Sequence, residues 1–204
     1  MPSRNIVKDF APESYYHIYN RGVAKQPIFL DSRDKQRFLA LFERHLSHKE
    51  SLNGNGLAYR KFTDDIELLC YCLMGNHFHL LVYQAENVSA ITDFMRSVLT
   101  AYTMYFNRRH KRVGPLFQSV YKSSRISTDS YLLHISRYIH LNPRGYKSYH
   151  YSSLAHYLGT PSPEWLNPNK ILDLFAQENY LEFLEDYEDH KASLEEIKYE
   201  LADS

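Results

Sequence analysis

The sequence predicts an α+β fold built on a mainly antiparallel sheet. Two long segments, 32–48 and 89–110, carry apolar side chains at the spacing of a helix face, and a third such segment begins near residue 130. Short runs rich in β-branched and aromatic residues lie between them. Two of these runs are separated only by Gly75 and Asn76, which predicts a tight hairpin and therefore antiparallel pairing.

The predicted elements follow one another as strand, helix, hairpin, helix, strand and helix. Asp31 or Ser32 is suited to cap the first helix, Ser89 the second, and Thr128 or Asp129 the third. A helical pattern also continues beyond Pro163. The predicted strands are residues 14–21, 66–74 and 77–84, with an irregular strand or loop at 116–127, and the predicted helices are residues 32–48, 89–110 and 130–142.

Composition indicates a globular protein with a sizeable core. Apolar residues make up 44% of the 204 residues, enough for one ordinary domain and an extension. No apolar run reaches the roughly 18 residues of a membrane helix, and the first residues lack the apolar stretch of a secretory signal. We therefore expect a cytoplasmic protein, in which Cys70 and Cys72 are two buried thiols.

Charge is unevenly distributed along a chain whose formal net charge is zero. Residues 164–204 contain 12 acidic and 3 basic side chains, a net charge of −9, which leaves 21 basic and 12 acidic side chains, a net charge of +9, in residues 1–163. We therefore divide the chain into a basic domain, 1–163, and an acidic helical extension, 164–204. The basic domain could bind a polyanion, although ordinary solvated surface charge would also explain the excess.

The first motif with chemical potential is His77-Phe78-His79. Side chains alternate across a strand, so the two histidines face one way and Phe78 faces the other. Two imidazoles at this spacing can bind one metal ion. The alternative is a pair of histidines on an exposed strand face.

The second motif lies on the third predicted helix. Tyr138 and Asn142 are four residues apart, so they share one face of the helix, with His134 one turn earlier. A phenol and a carboxamide on one face could provide a nucleophile and a neutral oxygen ligand. The alternative is a core tyrosine near a helix end, with Asn142 as its cap.

Basic residues lie between and around these two motifs, a spread that suits a phosphate backbone or, alternatively, a solvated surface. The candidate DNA-binding residues are Arg108, Arg109, Lys111, Arg112, Lys122, Arg125 and Arg137, followed by Arg144 and Lys147.

Taken in order, three segments resemble the REP-associated tyrosine transposases and their relatives, which mobilise the smallest bacterial insertion sequences. The segments are MGNHFHLLV, MRSVLTAYTMYFNRRHKRVGPLFQSVYKSS and DSYLLHISRYIHLNP. The resemblance covers roughly residues 14–157. Ser119 and Val120 stand where these relatives usually carry Gly and Arg, so one phosphate contact of the family lacks its usual residues here.

The resemblance implies a ferredoxin-like fold of the HUH endonuclease type, with the histidine pair on a central strand. It implies that His77 and His79 bind a divalent metal, Mg²⁺ or Mn²⁺, that Asn142 completes the metal site, and that Tyr138 is the catalytic nucleophile. The expected partner is single-stranded DNA with a hairpin or palindrome, in the bacterial cytoplasm at the nucleoid. Whether the protein is a monomer or a homodimer, with Tyr138 acting in its own site or a partner's, stays open.

Other functions also fit parts of this pattern. A domesticated, non-catalytic binder of DNA or RNA hairpins could keep the same fold, but it would not need His77, His79, Tyr138 and Asn142 together. Relaxases and replication initiators usually have larger chains. For the acidic extension we expect either structural packing or competition with DNA phosphates for the basic domain.

Overall fold

The protein, described by a computed structural model over residues 8–175 and 179–186, is organised around one four-stranded antiparallel sheet. The spatial order is β2-β3-β1-β4, so the strand with the histidine motif lies inside the sheet, between β2 and β1. The strands are β1 (Ser14–Arg21), β2 (Ile66–Leu73), β3 (His77–Gln84) and β4 (Lys122–Ile126).

Strand and helix order through β4 is βαββαβ, which with this sheet order is the ferredoxin-like arrangement. The α+β prediction and the fold implied by the resemblance are confirmed. The helices are α1 (Ser32–Leu46), α2 (Ala90–Arg109), α3 (Asp129–Leu141), α4 (Leu154–Tyr157), α5 (Asn169–Leu172) and α6 (Tyr180–Glu185), with short 3-10 turns at Val23–Lys25 and Tyr146–Ser148.

The two faces of the sheet support separate apolar cores. Helices α1 and α2 cover one face, where Phe38, Phe78 and Tyr102 are fully buried. Helix α3 covers the other face, where Ile135 and Ile139 pack with Leu81. Strand β3 therefore presents Phe78 to one core and its histidines to the other, as a two-residue alternation requires.

Both cysteines lie on the α3 side of the sheet with free, buried thiols, as predicted. A bulge between Leu68 and Cys70 interrupts the regular pairing of β2 with β3. Beyond it, Cys70 and Cys72 return to the alternation and face the same core.

Of the three helix caps predicted from the sequence, two are formed. Asp31 accepts a hydrogen bond from the Asp34 backbone N–H, and Thr128 accepts one from the Tyr131 backbone N–H. Ser89 occupies the position before α2, but its hydroxyl donates to Asn87 rather than capping the helix.

The predicted irregular segment 116–127 contains a regular strand only at its end. Strand β4 pairs with β1, and Phe117 bridges to Gly22 ahead of it. After β1 the chain passes close to Gly22, a position that requires glycine because an ideal Cβ would lie 2.1 Å from the Gln26 carbonyl oxygen.

The described part of the segment after Pro163 packs onto the body. The Asn167 backbone N–H donates to the Leu68 carbonyl oxygen, and Ile171 and Leu184 are buried in the α3-side core. Up to residue 186, this packing agrees with the first of the two expectations for the acidic extension, that it packs on the basic domain as part of the structure. The division after residue 163 stays a prediction. Residues 187–204, which carry the acidic side chains that follow Asp186 in the sequence, lie outside the described residues.

Within the described ranges, no helix is both long enough and apolar enough to span a membrane.

Candidate active site

The histidine motif lies at the start of β3, directly after the hairpin turn. Met74 and His77 close this turn through a backbone hydrogen bond of 2.9 Å. His77 and His79 face the same side of the sheet, with ring centroids 5.1 Å apart. Phe78 is buried among α1-side aromatics, 5.2 Å from the Phe38 ring, so it fixes the strand while the histidines stay on the opposite face.

Helix α3 brings the second motif to the first. The Asn142 Oδ1 atom, at the C-terminal cap of α3, lies 3.2 Å from His77 Nε2. The Tyr138 ring lies edge-on to the His79 ring, with centroids 5.3 Å apart. Four residues predicted from two distant motifs therefore meet at one place within a single chain.

Each histidine has a defined partner at its Nδ1 atom. His77 Nδ1 lies 2.6 Å from the Asn76 side-chain oxygen, and His79 Nδ1 lies 3.0 Å from Nε2 of His17. An amide oxygen only accepts, and His77 has one beside each ring nitrogen. The tautomer protonated on Nδ1 donates to Asn76 and leaves the Nε2 lone pair free, whereas the tautomer protonated on Nε2 donates to Asn142. The shorter contact, 2.6 Å to Asn76 against 3.2 Å to Asn142, favours the first tautomer.

Burial keeps both histidines neutral. It lowers the pKa of His77, with Asn142 partly opposing this shift and Arg21 adding to it. Burial also lowers the pKa of His79 well below its usual value, and the neighbouring His17, His77 and Arg21 lower it further. Neutral imidazole is the form that binds a metal ion.

This donor set fits a divalent cation. In the tautomer protonated on Nδ1, His77 Nε2 and Asn142 Oδ1 are two acceptors 3.2 Å apart, which matches the separation of about 3 Å between adjacent ligands in octahedral coordination at 2.0–2.1 Å. Across residues 8–175 and 179–186, no group of three His, Cys, Asp or Glu side chains could hold a metal ion. The third donor in this set is an amide oxygen, which lies outside those residue types.

Tyr138 is held as a neutral phenol. Burial raises its pKa to about 12, and a hydrogen bond with Asn142 and the charge of Arg21 partly oppose that shift. A nucleophilic role for Tyr138 therefore requires additional positive charge, or a proton acceptor, when a substrate is bound.

Two further residues belong to this site and were missed in the sequence. His17 and Arg21 lie on the same face of β1, and register pairs Arg21 with His77 and Tyr19 with His79. The sequence shows the two-residue alternation of Tyr15, His17, Tyr19 and Arg21, which places these side chains on one face of a strand. Only the pairing of β1 with β3 shows that this face carries the histidine motif. His17 is buried, whereas Arg21 is half-buried.

The basic cluster at the end of α2 is only partly available to a ligand. Arg108 and Lys111 are exposed, and Arg112 is half-buried. Arg109 instead forms ion pairs with Asp31 and with the fully buried Asp34, which fasten α2 to the start of α1.

Two other predicted DNA-binding residues are widely separated on β4. Lys122 is buried and pairs in register with Tyr19, so it lies at the same end of the sheet as the histidines. Arg125 is exposed and lines a cleft of about 400 Å³ beside Tyr15 and Asp129, at the opposite end of α3 from Asn142.

The position of Arg137 does not fit its predicted role in DNA binding. Its side chain is 0% exposed and its guanidinium lies 3.5 Å from the centre of the Phe183 ring in α6. None of its three guanidinium nitrogens has a hydrogen-bond partner in the described part of the chain. In this structure Arg137 therefore contacts α6 through a cation–π interaction and does not reach the surface.

The outer side of α3 is fixed by a buried polar network. His140 contacts the Tyr180 hydroxyl at 2.7 Å and the Ser153 hydroxyl at 2.8 Å, and Tyr180 donates to Ser136 at 3.0 Å. His134 lies one turn before Tyr138 in α3, as predicted, and its ring is 6.4 Å from Phe183. Tyr180 therefore packs on the side of α3 that faces away from Tyr138, whereas Phe183 lies against His134 and Arg137.

Comparisons with known proteins agree with the sequence resemblance. Residues 57–142 match the family model described as transposase IS200 like. A solved structure of a REP-associated tyrosine transposase bound to a REP hairpin superposes with a TM-score of 0.56 at 11% sequence identity, covering 78% of this chain and 88% of that chain. No curated protein sequence matches the chain.

The placement of the arginines generates a prediction for binding of a single-stranded hairpin oligonucleotide. Arg21→Met should flatten the plot of log affinity against log salt by about 0.7 for one lost phosphate contact. Arg137→Met should leave that slope unchanged because Arg137 is buried under α6. Circular dichroism would verify that both variants are folded. A flatter slope for Arg137→Met but not for Arg21→Met would contradict this placement.

Proposed function

We propose, since residues 57–142 match the family model described as transposase IS200 like, that the chain is a metal-dependent transposase that cuts and rejoins single-stranded DNA through Tyr138. One observation carries the proposal. Four side chains from β3 and the end of α3 meet on one face of the sheet: the phenol of Tyr138, the neutral imidazoles of His77 and His79, and the amide of Asn142. His77 Nε2 and Asn142 Oδ1 are only 3.2 Å apart.

His77, His79 and Asn142 would hold a divalent ion, Mg²⁺ or Mn²⁺. When bound, such an ion supplies positive charge that polarises a phosphate oxygen and orients the scissile group. Because all three protein donors are neutral, they do not cancel the charge of the ion. We expect this set to bind the ion weakly by itself and more tightly when DNA phosphate adds a negative oxygen.

Tyr138 would then act as the nucleophile. Its oxygen attacks the phosphorus, a tyrosine–phosphorus bond forms, and the bond from phosphorus to one DNA oxygen breaks. The phenol gives up its proton and the departing DNA oxygen gains one, so a free DNA hydroxyl is released. Tyr138 ends in a phosphodiester, and a second DNA hydroxyl can reverse the step without an external energy source.

Arg21 and Lys122 would bind the phosphates on either side of the scissile bond. Both lie at the end of the sheet that carries His77: Arg21 is on β1, two residues after Tyr19, and Lys122 is opposite Tyr19 on β4. Arg21 also lowers the pKa of Tyr138 against the larger effect of burial. It therefore favours the phenolate that attack requires.

DNA with a hairpin is the proposed partner. The solved relative is described as bound to a REP hairpin, and residues 1–163 of this chain carry a net charge of +9. A positive surface attracts the phosphate backbone irrespective of sequence. Because all four site residues come from one chain, one copy suffices to assemble the proposed site.

Tyr138→Phe tests the nucleophile. This substitution removes the attacking oxygen and keeps the ring that packs on His79. We expect the covalent protein–DNA adduct on a denaturing gel to disappear, while affinity for a hairpin oligonucleotide changes by no more than a few-fold. Normal cleavage by Tyr138→Phe would show that another of the 18 tyrosines attacks.

Metal dependence generates a separate prediction. EDTA, His77→Ala and His79→Ala should each abolish cleavage, because two of three protein donors are imidazoles. Asn142→Ala should reduce the rate less, since water can replace one neutral oxygen ligand. Robust cleavage in EDTA, with activity unaltered by added Mn²⁺, would rule out the proposed metal site.

A further inference from the structure

His17 is the buried imidazole that touches the predicted metal site without being one of the predicted ligands. It is 1% exposed and its Nε2 atom lies 3.0 Å from His79 Nδ1. The two rings are stacked, with centroids 5.1 Å apart and planes 24° apart. The ring of His17 also stacks on Tyr19, with centroids 5.1 Å apart, and meets the edge of Tyr138 at 6.1 Å.

A hydrogen bond between two neutral imidazoles needs one N–H and one lone pair. If His79 Nδ1 carries the proton, it donates to His17 Nε2 and leaves His79 Nε2 with a lone pair. If His17 donates instead, His79 keeps its proton on Nε2, where a metal ion would have to bind. The direction of this one hydrogen bond therefore decides whether His79 can act as a ligand through Nε2.

We propose that His17 is a positioning residue that accepts a hydrogen bond from His79 Nδ1 and so holds the Nε2 lone pair of His79 toward the metal site. The inference deepens the proposed function and rests on the metal site described there. Asn76 does the same for His77, whose Nδ1 lies 2.6 Å from the Asn76 oxygen. Metal-binding histidines commonly donate their second nitrogen to such a partner.

Stacking adds to the effect of this hydrogen bond. His17 stacks on both the Tyr19 ring and the His79 ring on the same sheet face, and so restricts rotation of the His79 ring about its side-chain bonds. A fixed ring keeps its lone pair directed at the site before any ion arrives. Removing the acceptor while keeping a planar ring should therefore separate the two contributions of His17.

Two variants make this separation. His17→Phe keeps a stacked ring but has no acceptor, whereas His17→Gln has no ring but places an amide oxygen near the position of the imidazole Nε2. Nitrogen-15 NMR of metal-free protein reports which nitrogen of His79 carries the proton, and electron paramagnetic resonance of Mn²⁺ reports the affinity for the ion without DNA. Thermal unfolding verifies that each variant is folded.

In the wild-type protein we expect His79 to be protonated on Nδ1. In His17→Phe a substantial population should move to the Nε2-protonated tautomer, and affinity for Mn²⁺ should fall about 10- to 100-fold. His17→Gln should keep the Nδ1 tautomer and more of the affinity than His17→Phe.

Wild-type His79 protonated on Nε2, or an unchanged tautomer and Mn²⁺ affinity in a folded His17→Phe variant, would overturn the role of His17. The NMR measurement decides this without metal. A wild-type protein with the expected tautomer but no Mn²⁺ binding would count against the metal site of the proposed function and leave the hydrogen bond established.

Discussion

Helix α3 reaches the histidines because apolar side chains that have no chemical role hold it on the sheet. Leu132, Ile135 and Ile139 are buried against Leu81 and Ile126. Burial of side chains of this size contributes roughly 1.5–3 kcal/mol each. The same helix has its outer side fixed by the network of His140, so both sides of α3 are restrained. The distance between Tyr138 and His79 therefore depends on how this apolar packing places α3 against the sheet.

Antiparallel pairing of β1 with β3 imposes the second constraint. It places His17 and Arg21 on the face that carries His77 and His79, one as a partner for an imidazole and the other as a nearby cation. Burial then makes the histidines neutral, and the same burial raises the pKa of Tyr138. Under the proposed function, the burial that keeps the histidines neutral for a metal ion also disfavours the phenolate of Tyr138, so attack would require the positive charge of the ion and of Arg21.

Sequence patterns were sufficient for the main helices and strands and for the faces on which His77, His79, Tyr138 and Asn142 lie. The alternation around Phe78 and the four-residue spacing of Tyr138 and Asn142 each place two side chains on one face, and these local rules hold in the folded protein. Their meeting could be inferred only from resemblance, since no local rule relates residue 77 to residue 142.

What the sequence could not provide depends on contacts between distant segments. His17 is 62 residues from His79 and acquires a role only through strand register. Arg137 was predicted to bind DNA because it neighbours Tyr138, but helix periodicity does not reveal that Phe183 covers it. Arg109 and Arg125 are also arginines near the two motifs in the sequence. In the structure Arg109 forms ion pairs with two aspartates, and Arg125 lies at the opposite end of α3 from Asn142.

The most direct test of this account is to identify the residue that becomes linked to DNA. The wild-type protein would be incubated with a single-stranded hairpin oligonucleotide and Mn²⁺, the adduct digested with nuclease and protease, and the modified peptide sequenced by mass spectrometry. The account predicts a nucleotide on Tyr138. A nucleotide on Tyr19, whose ring lies 6.0 Å from the His79 ring, or on any other tyrosine would contradict it.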